Sequence, residues 1–335
     1  MEKAGKKQST RVGEIDLLRG FGIILMVMGH IEFGTIFDHW IHAFHMPMWF
    51  LISGYFLNTK KSTGSFLFGK IKTLLVPYVF FGLAYEILAL MFGYNQFLGI
   101  LYPNSVQVPF NGALWFLPAL FLAEVFAFFL IKYLPAFLSY PLLAVAAVIG
   151  NFHPVNLPLS ADSALVGAGF LLLGHCLKKY FDGIMKGPVW TGIVGILLFS
   201  VLAFRNGAVN VRANEYAIIP LFWLNAVGMT CSFWILFCWI NRNLNWYLLR
   251  ILKKIGEKSL YFLCINQFAI FVFQKFIPVG RIAGKGFLSK GLLLAGKLTE
   301  LLVISGAILV FALLFETLVP KITGRFVVGK HTNKE

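Results

Sequence analysis

The sequence predicts an all-α integral membrane protein, with about ten transmembrane helices in one bundle and both termini on the inner side. Three observations carry this. Of its 335 residues, 59% are hydrophobic and only 13% are charged, about half the charged share of a soluble domain. Its mean hydropathy is +0.78. Its basic residues fall mainly in short segments between long apolar runs, the distribution of inner loops. A helical bundle follows, because open strand edges cannot be satisfied in lipid. The net charge of +15 comes from 29 Lys and Arg against 14 Asp and Glu. Spread over loops in this way, it argues against nucleic acid as a partner and for contact with membrane lipids.

The ten spans are expected at 17–36, 41–57, 73–92, 112–131, 136–150, 162–177, 188–204, 217–240, 259–277 and 298–319. A basic segment, 1–16, precedes the membrane domain at 17–320, and a basic tail, 321–335, follows it. The N-terminal layout is that of a signal peptide. However, the apolar run contains Arg19 and has no small-residue cleavage site, so it reads as a retained first helix. With the N-terminus inside, Lys60, Lys61, Lys70, Lys72, Lys132, Lys178, Lys179, Lys186 and the cluster from Arg242 to Lys258 lie inside, and the first three outer loops lack Lys and Arg. Lys275, Arg281, Lys285, Lys290 and Lys297 break this pattern. Either that loop meets something anionic outside, or the last span is placed differently. Between the eighth and ninth spans, Leu244, Tyr247, Leu248, Ile251, Leu252 and Ile255 form one apolar stripe, the pattern of an amphipathic helix in the membrane interface. Cys176, Cys231, Cys238 and Cys264 all lie in apolar runs and read as packing residues.

Arg19 and His30 stand in the first span, eleven residues apart. Eleven helical steps of about 100° return to within about 20° of the start, so both side chains share one face, about 16 Å apart along the axis. Ionisable groups inside a span are costly and mark functional sites by default. Imidazole can take a proton from a hydroxyl near neutral pH, which makes His30 the candidate base. Asp16, three residues before Arg19, is placed to hold that side chain in one rotamer. His39, His42 and His45 follow at spacings of three, which on one helix places all three on one side; another of the histidines packs or binds substrate, and His45 is assigned to substrate. No arrangement of HExxH type appears, and no metal site is assigned. Glu86 and Glu124 lie within spans and need partners. Ser53-Gly54 lacks the first Gly of a nucleophile elbow and reads first as a close-packing pair. The uncharged loop 93–111, with Tyr94, Asn95, Gln96, Tyr102, Asn104, Gln107 and Asn111, suits a neutral sugar and equally a membrane-interface loop.

These segments resemble the acyltransferase-3 membrane family. Asp16-Leu17-Leu18-Arg19-Gly20 through Gly29-His30 resembles its opening signature. Phe44-His45-Met46-Pro47-Met48-Trp49-Phe50-Leu51-Ile52-Ser53-Gly54-Tyr55 is similar to the second-helix motif of its fucose 4-O-acetylase-like branch. Leu74-Leu75-Val76-Pro77-Tyr78, Leu114-Trp115-Phe116-Leu117-Pro118 and Gly256-Glu257-Lys258-Ser259-Leu260 follow in the family's order. Two departures stand out. Asn266 occupies the position of a late histidine, and Lys70 and Lys72 stand where relatives are arginine-rich.

The resemblance implies a multi-pass cell-membrane O-acetyltransferase. It would use acetyl-CoA as donor, with no tightly bound cofactor, and acylate a hydroxyl of a cell-surface or lipid-linked carbohydrate. His30 maps onto the catalytic histidine and Arg19 onto its paired arginine; Arg19 and Asp16 are assigned with His30 to the catalytic group, Arg19 or Trp115 is the candidate donor to the oxyanion, and Arg19, Lys70 and Lys72 stand near the donor phosphates. His45, Ser53, Trp115 and Glu124 are assigned to substrate. The competing expectation is a transporter or flippase for a sugar-linked lipid, in which Arg19, His30, Glu86 and Glu124 line a pathway.

Overall fold

The computed structural model describes residues 13–93, 99–104, 106–152, 157–185, 187–278 and 287–318. Most of the basic N-terminal segment, the C-terminal tail, Tyr94, Asn95 and Gln96, and Arg281 and Lys285 lie outside the described residues. The described residues are mostly helical: α1 (Gly13–Ile31), α2 (Thr35–His42), α3 (His45–Tyr55), α4 (Thr63–Lys70), α5 (Val76–Met91), α6 (Phe116–Tyr133), α7 (Ala136–Phe152), α8 (Ala161–Met185), α9 (Val189–Asn206), α10 (Ile219–Asn243), α11 (Tyr247–Glu257), α12 (Ser259–Phe276) and α13 (Phe287–Leu318). A two-stranded hairpin, β1 (Val209–Asn210) with β2 (Glu215–Tyr216), joins α9 to α10.

Among the described residues, seven helices are long and apolar enough to cross a membrane. They are Thr63–Met91, Gly112–Tyr133, Pro158–Tyr180, Val189–Asn206, Ile219–Asn243, Ser259–Phe276 and Lys290–Thr317. The remaining three expected spans differ in kind. The first, α1, begins earlier than its apolar run and carries Glu14, Asp16 and Arg19. The fifth, α7, has 17 residues with Pro141 inside it. The second is divided. Phe44 takes an extended φ of −147° between α2 and α3, just upstream of Pro47. Proline has no N–H to bond the carbonyl four residues back and crowds the residue before it, so the chain breaks there. The 11-residue α3 is then about 16 Å long, roughly half the hydrocarbon thickness.

Pro77 acts similarly on the third span. Its missing N–H leaves the Thr73 carbonyl without a helical partner, and Ile71–Leu75 forms a π-helical turn between α4 and α5. Turns of this kind re-aim side chains and are frequent at functional sites.

Packing around α1 and α3 uses small residues. A Cβ at Gly54 of α3 would collide with the Leu171 carbonyl of α8, and one at Gly174 of α8 with the Leu51 carbonyl. Small residues let helix backbones approach this closely. The same device locks α11 to α1: a Cβ at Gly256 would strike the Asp16 carbonyl, and one at Gly20 the Leu252 carbonyl. The amphipathic segment is therefore docked on α1 by its C-terminal half, with Ile255 buried, while Tyr247 and Leu248 at its start remain exposed. Aromatic packing supplies much of the remaining core, including Phe170 stacked on Trp223 and Phe66 stacked on Phe128.

Candidate active site

The continuous α1 carries Arg19 and His30 on one face toward opposite ends of the bundle. At the His30 end lies a cavity of about 120 Å³ lined by His30, His42, His45, Trp115, Arg212 and Gln267, with Met26, Met46 and Leu263 as apolar wall. Five chain segments converge here. α1 brings His30, the α2–α3 break brings His42 and His45, the 3-10 turn Gly112–Trp115 brings Trp115, the hairpin brings Arg212, and α12 brings Gln267.

Gln267 accepts the Gly112 backbone N–H at 2.8 Å with Oε1, which turns its amide toward His30. The amide nitrogen lies 3.0 Å from His30 Nε2 and 3.2 Å from Nδ1, and donates to whichever of the two carries no proton. His42 donates from Nδ1 to the Asp38 carbonyl at 2.7 Å, and His45 from Nδ1 to the Ile41 carbonyl at 2.9 Å. In both rings Nε2 is left as the acceptor. Trp115 sits in a turn whose start is capped by Asn111, and Asn111 Nδ2 in turn donates to the Leu263 and Cys264 carbonyls of α12 at 3.1 and 2.6 Å. Asn266, at the position of the late family histidine, is fully buried and spends its amide on the Phe262 and Leu263 carbonyls, away from the cavity.

The expected face shared by His39, His42 and His45 does not form. The break at Ala43–Phe44 separates His45 from the other two, and His39 is not among the cavity residues. Among the described residues, no group of three His, Cys, Asp or Glu side chains could hold a metal ion.

At the opposite end, the Arg19 guanidinium lies 5.8 Å from the centre of the Phe56 ring, just past the end of α3. Nearby in the chain, Ser53 donates to Glu124 Oε1, and Lys70 Nζ reaches the same oxygen at 2.6 Å. Glu124 is 1% exposed and Lys70 about a third exposed, so Lys70 bridges from the bundle surface to a buried carboxylate. Ser53 and Glu124 thus group with Lys70 and not with His30, His45 and Trp115. Lys72 lies in the widened turn two residues on. Asp16 is buried under the α1–α11 contact. Glu86, also buried, lies near the Gly99–Ile100 segment and outside both groupings.

Two cavity residues escaped the sequence reading. Gln267 is a neutral residue in an apolar run, with no local signal. Arg212 had one, a basic residue in the short stretch Asn210-Val211-Arg212-Ala213-Asn214 of a loop expected outside, where the first three outer loops carry no Lys or Arg.

No curated protein and no solved structure matches the chain. The family model described as an acyltransferase domain, that of the acyltransferase-3 family, matches residues 12–317, from the start of α1 to the end of α13. The chain therefore belongs to this family of membrane acyltransferases.

Proposed function

We propose that this acyltransferase moves an acetyl group from acetyl-CoA to a hydroxyl of a cell-surface or lipid-linked carbohydrate. The observation that carries the reading is the two-ended use of α1: a polar cavity around His30 at one end, and the Arg19 guanidinium against the Phe56 ring about three helical turns away at the other. With the N-terminus inside, the Arg19 end faces the cytoplasm, where acetyl-CoA is made. Arg19 and Lys72 meet the donor's phosphates there, and Lys70 tethers the adjoining segment through Glu124. Arg19 is about 16 Å from His30 along α1, so it binds the donor's remote end and takes no part at the reacting carbon.

His30 accepts the acceptor hydroxyl's proton as that oxygen bonds to the thioester carbonyl carbon. The tetrahedral intermediate collapses with cleavage of the C–S bond. The imidazolium returns the proton to the departing thiolate, giving the acetyl ester and free CoA. Trp115 Nε1 and the Gln267 amide are the nearby N–H donors for the transient oxyanion. His45 and His42 line the acceptor's side.

The test is acetyl-CoA thioester cleavage by the purified protein in lipid vesicles, with and without saccharide acceptors. Cleavage that depends on an acceptor supports the reading. Saccharide or lipid-sugar movement across the vesicle membrane without thioester cleavage overturns it in favour of transport.

A further inference from the structure

Arg212 is the one guanidinium in the His30 cavity, and it is held by neutral oxygens. Its Nε and Nη2 donate to the Asn104 carbonyl at 3.2 and 3.0 Å. With the Gln107 amide turned so that its oxygen faces the guanidinium, that oxygen accepts from Nη2 at 2.6 Å and from Nη1 at 3.0 Å. Of the five N–H groups of an arginine, these bonds leave one, on Nη1. A Cβ on Gly112 would stand 3.1 Å from Nη1. The same Gly112 donates its N–H to Gln267, which contacts His30. The guanidinium is therefore fixed against the wall that positions the histidine.

No described carboxylate forms an ion pair with Arg212. Asp162, the acid nearest in this network, acts on Asn104 Nδ2 and on the Ser163 N–H. Glu32, Asp38, Glu215 and Glu300 lie toward this end of the bundle, but none lines the cavity. A half-buried guanidinium in a cavity with three imidazoles has no counter-anion among the described residues, and a neutral sugar filling the cavity would desolvate it further without supplying one.

A second observation is independent of the cavity. Two described members of the basic stretch that breaks the inner-loop charge pattern, Lys275 and Lys297, lie at this same end. Lys297 Nζ donates to the carbonyl of Glu32, two residues past His30. Lys275, exposed, sits 5.9 Å from the centre of the Phe92 ring, eight residues beyond Gln267 on α12. Cations outside a cleft raise the local concentration of an anionic ligand and steer it inward.

We propose that the acceptor is an anionic carbohydrate, whose carboxylate or phosphate binds the remaining Nη1–H of Arg212 while its hydroxyl faces His30. This rests on the acetyl-transfer reading above and names its acceptor class.

The test uses the full chain in lipid vesicles, with three acceptors of one ring type: methyl glucoside, its glucuronide and glucose 1-phosphate. Initial acetylation rates and direct saccharide binding are both measured for wild type, R212K and R212Q, with acetyl-CoA binding as the control for folding. Wild type is expected to prefer an anionic acceptor by about tenfold or more, the scale of one charge-assisted hydrogen bond. The favoured arm distinguishes carboxylate from phosphate. R212Q should bring the preference close to one, and R212K should keep part of it. Equal loss on all three acceptors in R212Q, or no Arg212-dependent preference in either readout, overturns the proposal. If wild type binds an anionic saccharide through Arg212 yet acetylates none, the anion site at Arg212 stands, while acetyl transfer and the ligand's role as acceptor fail. If it acetylates without charge preference, the reverse holds.

Discussion

Gln267 holds its amide nitrogen 3.0 Å from His30 Nε2 while its own carbonyl oxygen takes the Gly112 N–H at 2.8 Å. One neutral side chain thus ties the candidate base on α1 to the turn that carries Trp115. In the proposed mechanism Gln267 orients His30 and offers an N–H to the oxyanion. Q267A should lower kcat by about 5- to 30-fold, the worth of roughly 1–2 kcal/mol, with acetyl-CoA affinity unchanged. A loss confined to donor affinity would show that Gln267 plays no part at the His30 end.

The donor end makes a separable prediction. R19A should weaken acetyl-CoA binding by about tenfold or more, and R19K should recover only part, because an ammonium cannot reproduce the guanidinium fork on a phosphate. Calorimetric titration of acetyl-CoA into detergent-solubilised protein checks this. Acceptor binding should not change in either variant, since the two ends are about 16 Å apart.

Glu124 is a stability prediction. It is buried, with Oε1 shared by Ser53 and Lys70 and Oε2 without a partner among the described residues. K70A leaves that carboxylate without its cation and should cost about 1–3 kcal/mol, toward the lower end because Lys70 is partly exposed. K70M/E124M removes both charges and should recover much of the loss. Thermal unfolding of the single and double variants measures the coupling. Additive losses would show that the pair does not interact.

Glycine substitutions separate close helix contacts from open ones. G256L forces a side chain into the Asp16 carbonyl and should destabilise the protein by about 2–3 kcal/mol or more, displacing α11 from α1. G291A on α13 meets nothing within 4 Å and should be neutral or stabilising by up to about 1 kcal/mol. Melting temperatures in one detergent suffice for the comparison.

The helical membrane class was legible because continuous apolar runs leave the backbone few other solutions in lipid. The shared face of Arg19 and His30 was legible because helical geometry converts sequence spacing directly into direction. The break before His45 was within reach of the sequence, since Pro47 stands three residues past Phe44. A continuous span from 41 to 57 nonetheless reads equally well by hydropathy. The grouping of Ser53 and Glu124 with Lys70 was not legible, because 54 and 71 residues separate the bonded pairs and apolar periodicity does not specify which helices face each other. Arg212 and Gln267 reach His30 across separations that no local pattern encodes, one from a hairpin of two-residue strands and one from the middle of an apolar helix.

The most direct test of the account is transfer of radiolabelled acetyl from acetyl-CoA to a panel of neutral and anionic saccharides by the reconstituted protein, comparing wild type with H30A. The account predicts labelled saccharide from wild type alone, with H30A binding acetyl-CoA as tightly while losing at least about 100-fold in rate. Full activity in H30A would contradict the role of His30. Wild-type protein that binds acetyl-CoA at the Arg19 end but labels none of the saccharides would contradict carbohydrate acylation.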